Sequence, residues 1–128
     1  MTSVLGVGVD VVDIDRLRRA LVRRPRLNER LFTEDERAYA ERAADPGARL
    51  AARFAAKEAV LKALGTGVSG GARLRDVEVV RADGGAPSLA LTGRTAEMAR
   101  ARGVASWHLS LSHTDTVAVA TVVAESGH

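Results

Sequence analysis

At 128 residues with no cysteine, the chain has room for one cored domain, 1–128, and no means of forming a disulfide or a thiolate metal site. A net charge of +3 favours an acidic partner or ligand, while aromatic residues at 3% argue against base stacking, so nucleic acid is not an expected partner. Neither a secretory leader nor an apolar run long enough to span a bilayer is present; a cytoplasmic protein without membrane contact is expected.

The first predicted element is a strand from Val4 to Val12. Leu5, Val7, Val9 and Val11 point one way and Gly6, Gly8, Asp10 and Val12 the other. Two glycines beside Asp10 leave bare backbone on its face, where a ligand or a helix can come close. Asp13 then caps a helix from Ile14 to about Arg24, with Ile14, Leu17, Leu21 and Val22 as its buried stripe and Pro25 as its stop. Arg16, Arg18, Arg19, Arg23 and Arg24 cover the other face, either as a docking surface for an acidic protein or as a solvated helix. Thr33 and Glu36 have capping-box spacing, so a helix from Glu34 to about Ala44 follows and ends before Pro46-Gly47; Glu36 is read as structural.

The helix from Ala48 to Leu64 organises the rest. Leu50, Phe54, Val60, Leu61 and Leu64 form one apolar arc, and Ala51, Ala52, Ala55, Ala56, Ala59 and Ala63 cover nearly all the remainder, so the helix is expected to be buried. Arg53 and Lys57 nevertheless fall inside that arc, with Glu58 at its border. Buried charges must be paired or must hold an ion or a charged ligand. Gly65 is placed to cap the helix, and Thr66, Gly67, Ser69, Gly70 and Gly71 follow as a loop whose amides can approach a phosphate. A carboxylate, two lysines and a glycine loop together point to a polyanion.

Beyond the loop, Val77–Arg81 and Ser88–Leu91 are predicted antiparallel strands joined at Asp83-Gly84-Gly85. A short helix opens at Thr92 or Thr95 and closes at Gly103. The last segment is a second hairpin: Trp107, Leu109, Leu111 and His113 alternate with His108, Ser110 and Ser112, and Val117 to Ala124 returns as an apolar strand. The expected fold is a single compact α+β domain with a mainly antiparallel sheet packed on the long helix.

Asp10 and Glu58 stand out as acids at positions that should be apolar. If strand and helix pack face to face, the two carboxylates can share Mg²⁺, which takes its remaining ligands from water and substrate phosphates. Lys62, one turn after Glu58, adds a cation where phosphoryl-type transfer builds charge. A plain Glu58–Lys62 pair at four-residue spacing is the alternative for those two residues, and it leaves Asp10 unexplained.

Gly6-Val7-Gly8-Val9-Asp10, Arg53-Phe54-Ala55-Ala56-Lys57-Glu58-Ala59 with Lys62, Gly65-Thr66-Gly67, and Ser110-Leu111-Ser112-His113-Thr114 closely resemble the signatures of the holo-[acyl-carrier-protein] synthase family, the short type of 4′-phosphopantetheinyl transferase. The resemblance runs from the first strand to the last. It implies transfer of the phosphopantetheine arm of coenzyme A to a serine of apo acyl carrier protein, with release of adenosine 3′,5′-bisphosphate, in fatty acid biosynthesis. It further implies Asp10 and Glu58 as Mg²⁺ ligands, and Lys62 as the group stabilising the pyrophosphate. Arg53, Gly65, Thr66, Gly67, Pro87 and His113 would line the coenzyme pocket, and Arg16 and Arg23 would dock the carrier. A homotrimer with sites between neighbouring subunits is implied as well. The chain departs from the family pattern at Gly84-Gly85-Ala86-Pro87, where a lysine often precedes the proline, and at Ser69-Gly70-Gly71. Two other readings compete: a non-enzymatic basic adaptor that binds acidic proteins or nucleic acid through the arginine-rich first helix, and a Mg²⁺-dependent nucleotide transferase with another acceptor.

Overall fold

The computed structural model describes residues 1–66, 70–81 and 84–127. Its axis is a 19-residue helix, Pro46–Leu64 (α4 in chain order), against which an antiparallel three-stranded sheet is laid. Asp45 accepts a hydrogen bond from the Ala48 amide at the start, and Gly65, at φ +74°, closes the end through its amide to the Leu61 carbonyl. The helix thus begins two residues before the expected Ala48. Pro46 occupies the first turn, where its missing N–H costs nothing, and so opens the helix rather than separating two. Burial is nearly all round, as the alanine and leucine pattern requires.

The large sheet has the order β1–β5–β4, from β1 (Val4–Asp13), β4 (Val104–His113) and β5 (Val117–Ser126). On its inner face, Gly6 and Gly8 touch the helix backbone: a Cβ on either would lie 2.0 Å from the Ala63 carbonyl oxygen or 1.9 Å from that of Ala59. Ala118, Ala120, Val122 and Ala124 of β5 line the same face and are buried. The alternation read from the sequence holds, but its valine side faces outward. Val7, Val9 and Val11 are 57%, 49% and 61% exposed.

The connections differ from expectation in some details. The first helix, α1 (Ile14–Arg23), is capped by Asp13 as expected and tied to the β4–β5 turn by the Ile14 amide donating to the Thr116 carbonyl. Val22, however, is exposed: at 100° per residue it lies about 80° away from Ile14, outside the stripe that Ile14 and Leu17 bury. Pro25 does not merely stop α1; it stands at the first position of a further helix, α2 (Pro25–Leu31), which was not anticipated. Next comes α3 (Glu34–Glu41), with both halves of the Thr33–Glu36 capping box made, ending three residues short of Ala44. A short 3₁₀ turn, Leu74–Asp76, precedes the small antiparallel hairpin of β2 (Val77–Arg81) and β3 (Pro87–Leu91). Of the expected turn, Asp83 lies outside the described residues. Finally α5 (Gly93–Ala101) opens at Thr92, one of the two expected starts, with Thr95 buried within it. The result is the α+β class with antiparallel sheets that the pattern predicted.

Candidate active site

Asp10 reaches the site because its register on β1 puts it on the glycine face, directed at α4. Glu58 and Phe54 of α4 meet it there, and α1 and α2 close the far side with Arg16, Leu17 and Leu31, enclosing a cleft of about 690 Å³. One wall carries carboxylates and the rest is mostly apolar. Lys62, one helical turn beyond Glu58, donates to Asp10 Oδ1 at 2.8 Å and to the Val9 carbonyl at 2.9 Å. The Asp10 side chain is 16% exposed and that of Lys62 53%. The Glu58–Lys62 pair allowed by spacing is therefore replaced by a pair between helix and strand. Burial pushes the Glu58 carboxyl above its usual range, the neighbouring Asp10 charge adds to this, and Lys62 opposes it.

Lys57, counted with Lys62 as a possible polyanion contact, is elsewhere. Its side chain is fully buried, with Nζ 2.7 Å from Glu36 Oε1, 3.2 Å from the Leu74 carbonyl and hydrogen-bonded to the Val77 carbonyl. Glu36 also accepts from the amides of Thr33 and Val79. This closed network joins α3, α4, the 3₁₀ turn and β2, and it has no donor left for a ligand. Burial lowers the pKa of Lys57, and the Glu36 carboxylate beside it works the other way. Glu36 is structural, as expected, but its main partner was not foreseen.

Arg53 lines a second cavity of about 450 Å³ with Tyr39, Arg42, Glu78 and Arg81, a set that shares no residue with the first cleft. It is 4% exposed, and its Nε has no hydrogen-bond partner. Its guanidinium lies 4.4 Å from the centre of the Tyr39 ring, with those of Arg49 and Arg42 at 4.2 and 5.2 Å. Burial disfavours the Arg53 charge, while a hydrogen bond with Arg81 holds the Tyr39 phenol below its usual range. The sequence signal for this cavity was Arg53 itself, a charge on the buried arc of α4, while its companions Tyr39, Arg42, Glu78 and Arg81 were not anticipated.

The remaining candidates are dispersed within the chain. Gly65 and Thr66 follow α4 immediately beyond Lys62, Pro87 begins β3, and Gly67 lies outside the described residues. His113 ends β4 on the face shared by Val12, since both pair with Ala118; it is exposed, with Nδ1 3.4 Å from the Thr114 carbonyl. Arg16 lines the carboxylate cleft, and Arg23 lies on the exposed arginine face of α1. Among the described residues, no group of three or more His, Cys, Asp or Glu side chains is placed to hold a metal, and no helix is long and apolar enough to cross a membrane.

A carboxylate pair, a lysine and a mostly apolar cleft, on a helix laid against a glycine strand, are the kind of set that phosphoryl-group transfer can use. The family model described as the 4′-phosphopantetheinyl transferase superfamily matches residues 6–122, and the chain belongs to that superfamily. Within it, the chain is 51% identical over 122 residues to the holo-[acyl-carrier-protein] synthase of Beutenbergia cavernae, covering 95% of this chain and 98% of that one. It is 53% identical over 124 residues to the enzyme of the same name from Frankia casuarinae, covering 97% and 99%. The crystal structure of a holo-(acyl-carrier-protein) synthase from Bacillus anthracis in complex with CoA (3′,5′-ADP) superposes with a TM-score of 0.79, at 35% identity and coverage of 97% and 98%.

Proposed function

We propose that this chain is a holo-[acyl-carrier-protein] synthase, acting as one domain over residues 1–128 in the cytoplasm. The serine oxygen of apo acyl carrier protein attacks the phosphorus that bears the pantetheine arm of coenzyme A. A P–O bond forms to serine, the bond to the nucleotide breaks, adenosine 3′,5′-bisphosphate leaves, and the serine proton passes to a water or carboxylate in the cleft. The observation that carries this reading is the convergence of Asp10, Glu58 and Lys62 beside an apolar wall, in a chain about half identical to synthases of that name.

The donor set fits Mg²⁺. Two carboxylates from facing elements match an ion that takes one or two such ligands and completes its shell with water and substrate phosphates, and a cation, the Lys62 ammonium, already sits on Asp10. When bound, Mg²⁺ would neutralise charge on the pyrophosphate. Lys62 then stabilises the departing nucleotide, Gly65, Thr66 and Gly67 offer amides to its phosphates, and Arg16 and Arg23 hold the carrier.

A homotrimer accounts for two features that a single copy leaves open. The valine face of β1 is an exposed apolar patch, which in soluble proteins marks a contact surface. The Arg53 cavity holds an under-partnered buried cation in a place apart from the carboxylates. Packing around a threefold axis would cover the first and let Arg53, Pro87 and His113 serve the coenzyme at a neighbour's cleft.

The test is intact-mass spectrometry of apo acyl carrier protein incubated with this protein and coenzyme A, with Mg²⁺ or with chelator. A mass gain of one phosphopantetheine arm requiring both protein and metal is expected. No gain on several apo carriers, with the protein folded and Mg²⁺ present, would overturn the proposal in favour of a basic adaptor or a different acceptor.

A further inference from the structure

We propose that Lys62 is the resident counter-ion of the carboxylate pair and must leave Asp10 before a divalent cation can enter, so that metal and diphosphate depend on each other for tight binding. This rests on the metal-site reading above. The Lys62 ammonium is shared between Asp10 Oδ1 and the Val9 carbonyl, at 2.8 and 2.9 Å, so it already occupies one of the two oxygens with which Asp10 would hold a cation.

An ammonium and a divalent ion repel one another, and the pair of acids cannot hold both closely without losing much of the attraction to either. With Lys62 in place, one positive charge already offsets the negative charge that Asp10 and Glu58 bring to the cleft. A free divalent ion must displace that charge without offering it a new partner. A diphosphate changes the balance, because its oxygens accept the ammonium. The Lys62 side chain is long and half exposed, so it can turn from Asp10 to a ligand held beside that carboxylate without repacking the core. Coupling of this kind is reciprocal: whatever the diphosphate adds to metal affinity, the metal adds to diphosphate affinity.

The experiment is titration with Mn²⁺, read by electron paramagnetic resonance of the free ion, without coenzyme A. Lys62→Met is expected to bind Mn²⁺ about tenfold tighter than the unaltered protein, within the usual range of coupling between sites. Arg16→Met removes a positive charge from the same cleft that is not bonded to Asp10, and is expected to change affinity by less than about threefold. Equal or weaker Mn²⁺ binding by Lys62→Met overturns the inference, as does an equal gain in Arg16→Met, which would reduce the effect to general charge. Lys62→Gln serves in the same comparison if the methionine variant folds poorly by thermal unfolding. Adding Asp10→Asn to Lys62→Met separates the two levels of the argument. If that change abolishes the tighter binding, the ion lies on Asp10 as proposed; if tight binding persists without Asp10, the metal-site reading itself fails, and this inference with it.

Discussion

Two lysines five residues apart on α4 meet opposite fates. Lys57 is fully buried, and its ammonium donates to Glu36 and to the carbonyls of Leu74 and Val77. Lys62 is half exposed and holds the Val9 carbonyl and Asp10, which itself lines the cleft. Five residues on a helix turn the side chain through about 140°, enough to send one lysine into the junction of α3 and β2 and the other toward β1. Desolvation makes the difference chemical. A buried ion pair is costly to break because the remaining charge has no water, whereas an exposed pair exchanges partners at little cost. One lysine therefore holds the framework, and the other is free to serve a ligand.

The sharpest way to break this contrast is to remove each charge in turn. Lys57→Met is expected to destabilise the protein by about 3–5 kcal/mol in urea unfolding, since it strands the Glu36 carboxylate in the core. Adding Glu36→Gln should recover part of the loss, and no recovery would mean that the stranded charge is not its source. Next in size are Asp10→Ala and Glu58→Ala, which are expected to lower turnover about a hundredfold or more while leaving the unfolding midpoint near its original value. Full turnover by a folded Glu58→Ala protein would remove the carboxylate pair from the chemistry. Lys62→Met should change unfolding free energy by no more than about 1 kcal/mol, as for other exposed pairs. A cost as large as that of Lys57→Met would erase the distinction between the two lysines.

The smallest effect sharpens the comparison through pH. Glu58 is raised by burial and by Asp10, so its protonated form is the one the fold prefers. The stability it contributes is present at low pH and lost as pH rises through its folded value. Without divalent ions, Glu58→Gln is expected to raise the thermal midpoint modestly at pH 8, and that advantage should fade as pH falls below the folded value. An advantage that grows in acid would reverse the assignment.

Much of this was legible in the chain because local rules and tertiary needs agree. Alanine and leucine on every side of α4 require burial, the Thr33–Glu36 spacing writes its own cap, and an aspartate among glycines on an apolar strand marks a place where backbone approaches closely. What was missed depends on contacts between distant residues or on ambiguous punctuation. Pro25 can end one helix or begin another, and here it does both. Glu36 is 21 residues from Lys57, with nothing in the spacing to pair them. The valines of β1 look like the core side of the strand by hydropathy. They point outward because only glycine lets the strand lie against the carbonyls of Ala59 and Ala63. Arg53 fell on the apolar arc as read, but its companions Tyr39 and Arg81 come from α3 and β2 and share no local pattern with it.

The contact of Gly6 and Gly8 with α4 also bears on how this protein can vary. A Cβ at either position would lie within about 2 Å of a backbone oxygen, and backbone, unlike a side-chain tip, cannot swing aside. In a library randomised at both positions and selected for soluble, folded protein, glycine should therefore dominate the survivors, while Val7 and Val9 between and beside them accept other apolar residues. Two positions with almost no tolerance, interleaved with two that have some, give this strand a mutational signature that hydropathy could not supply.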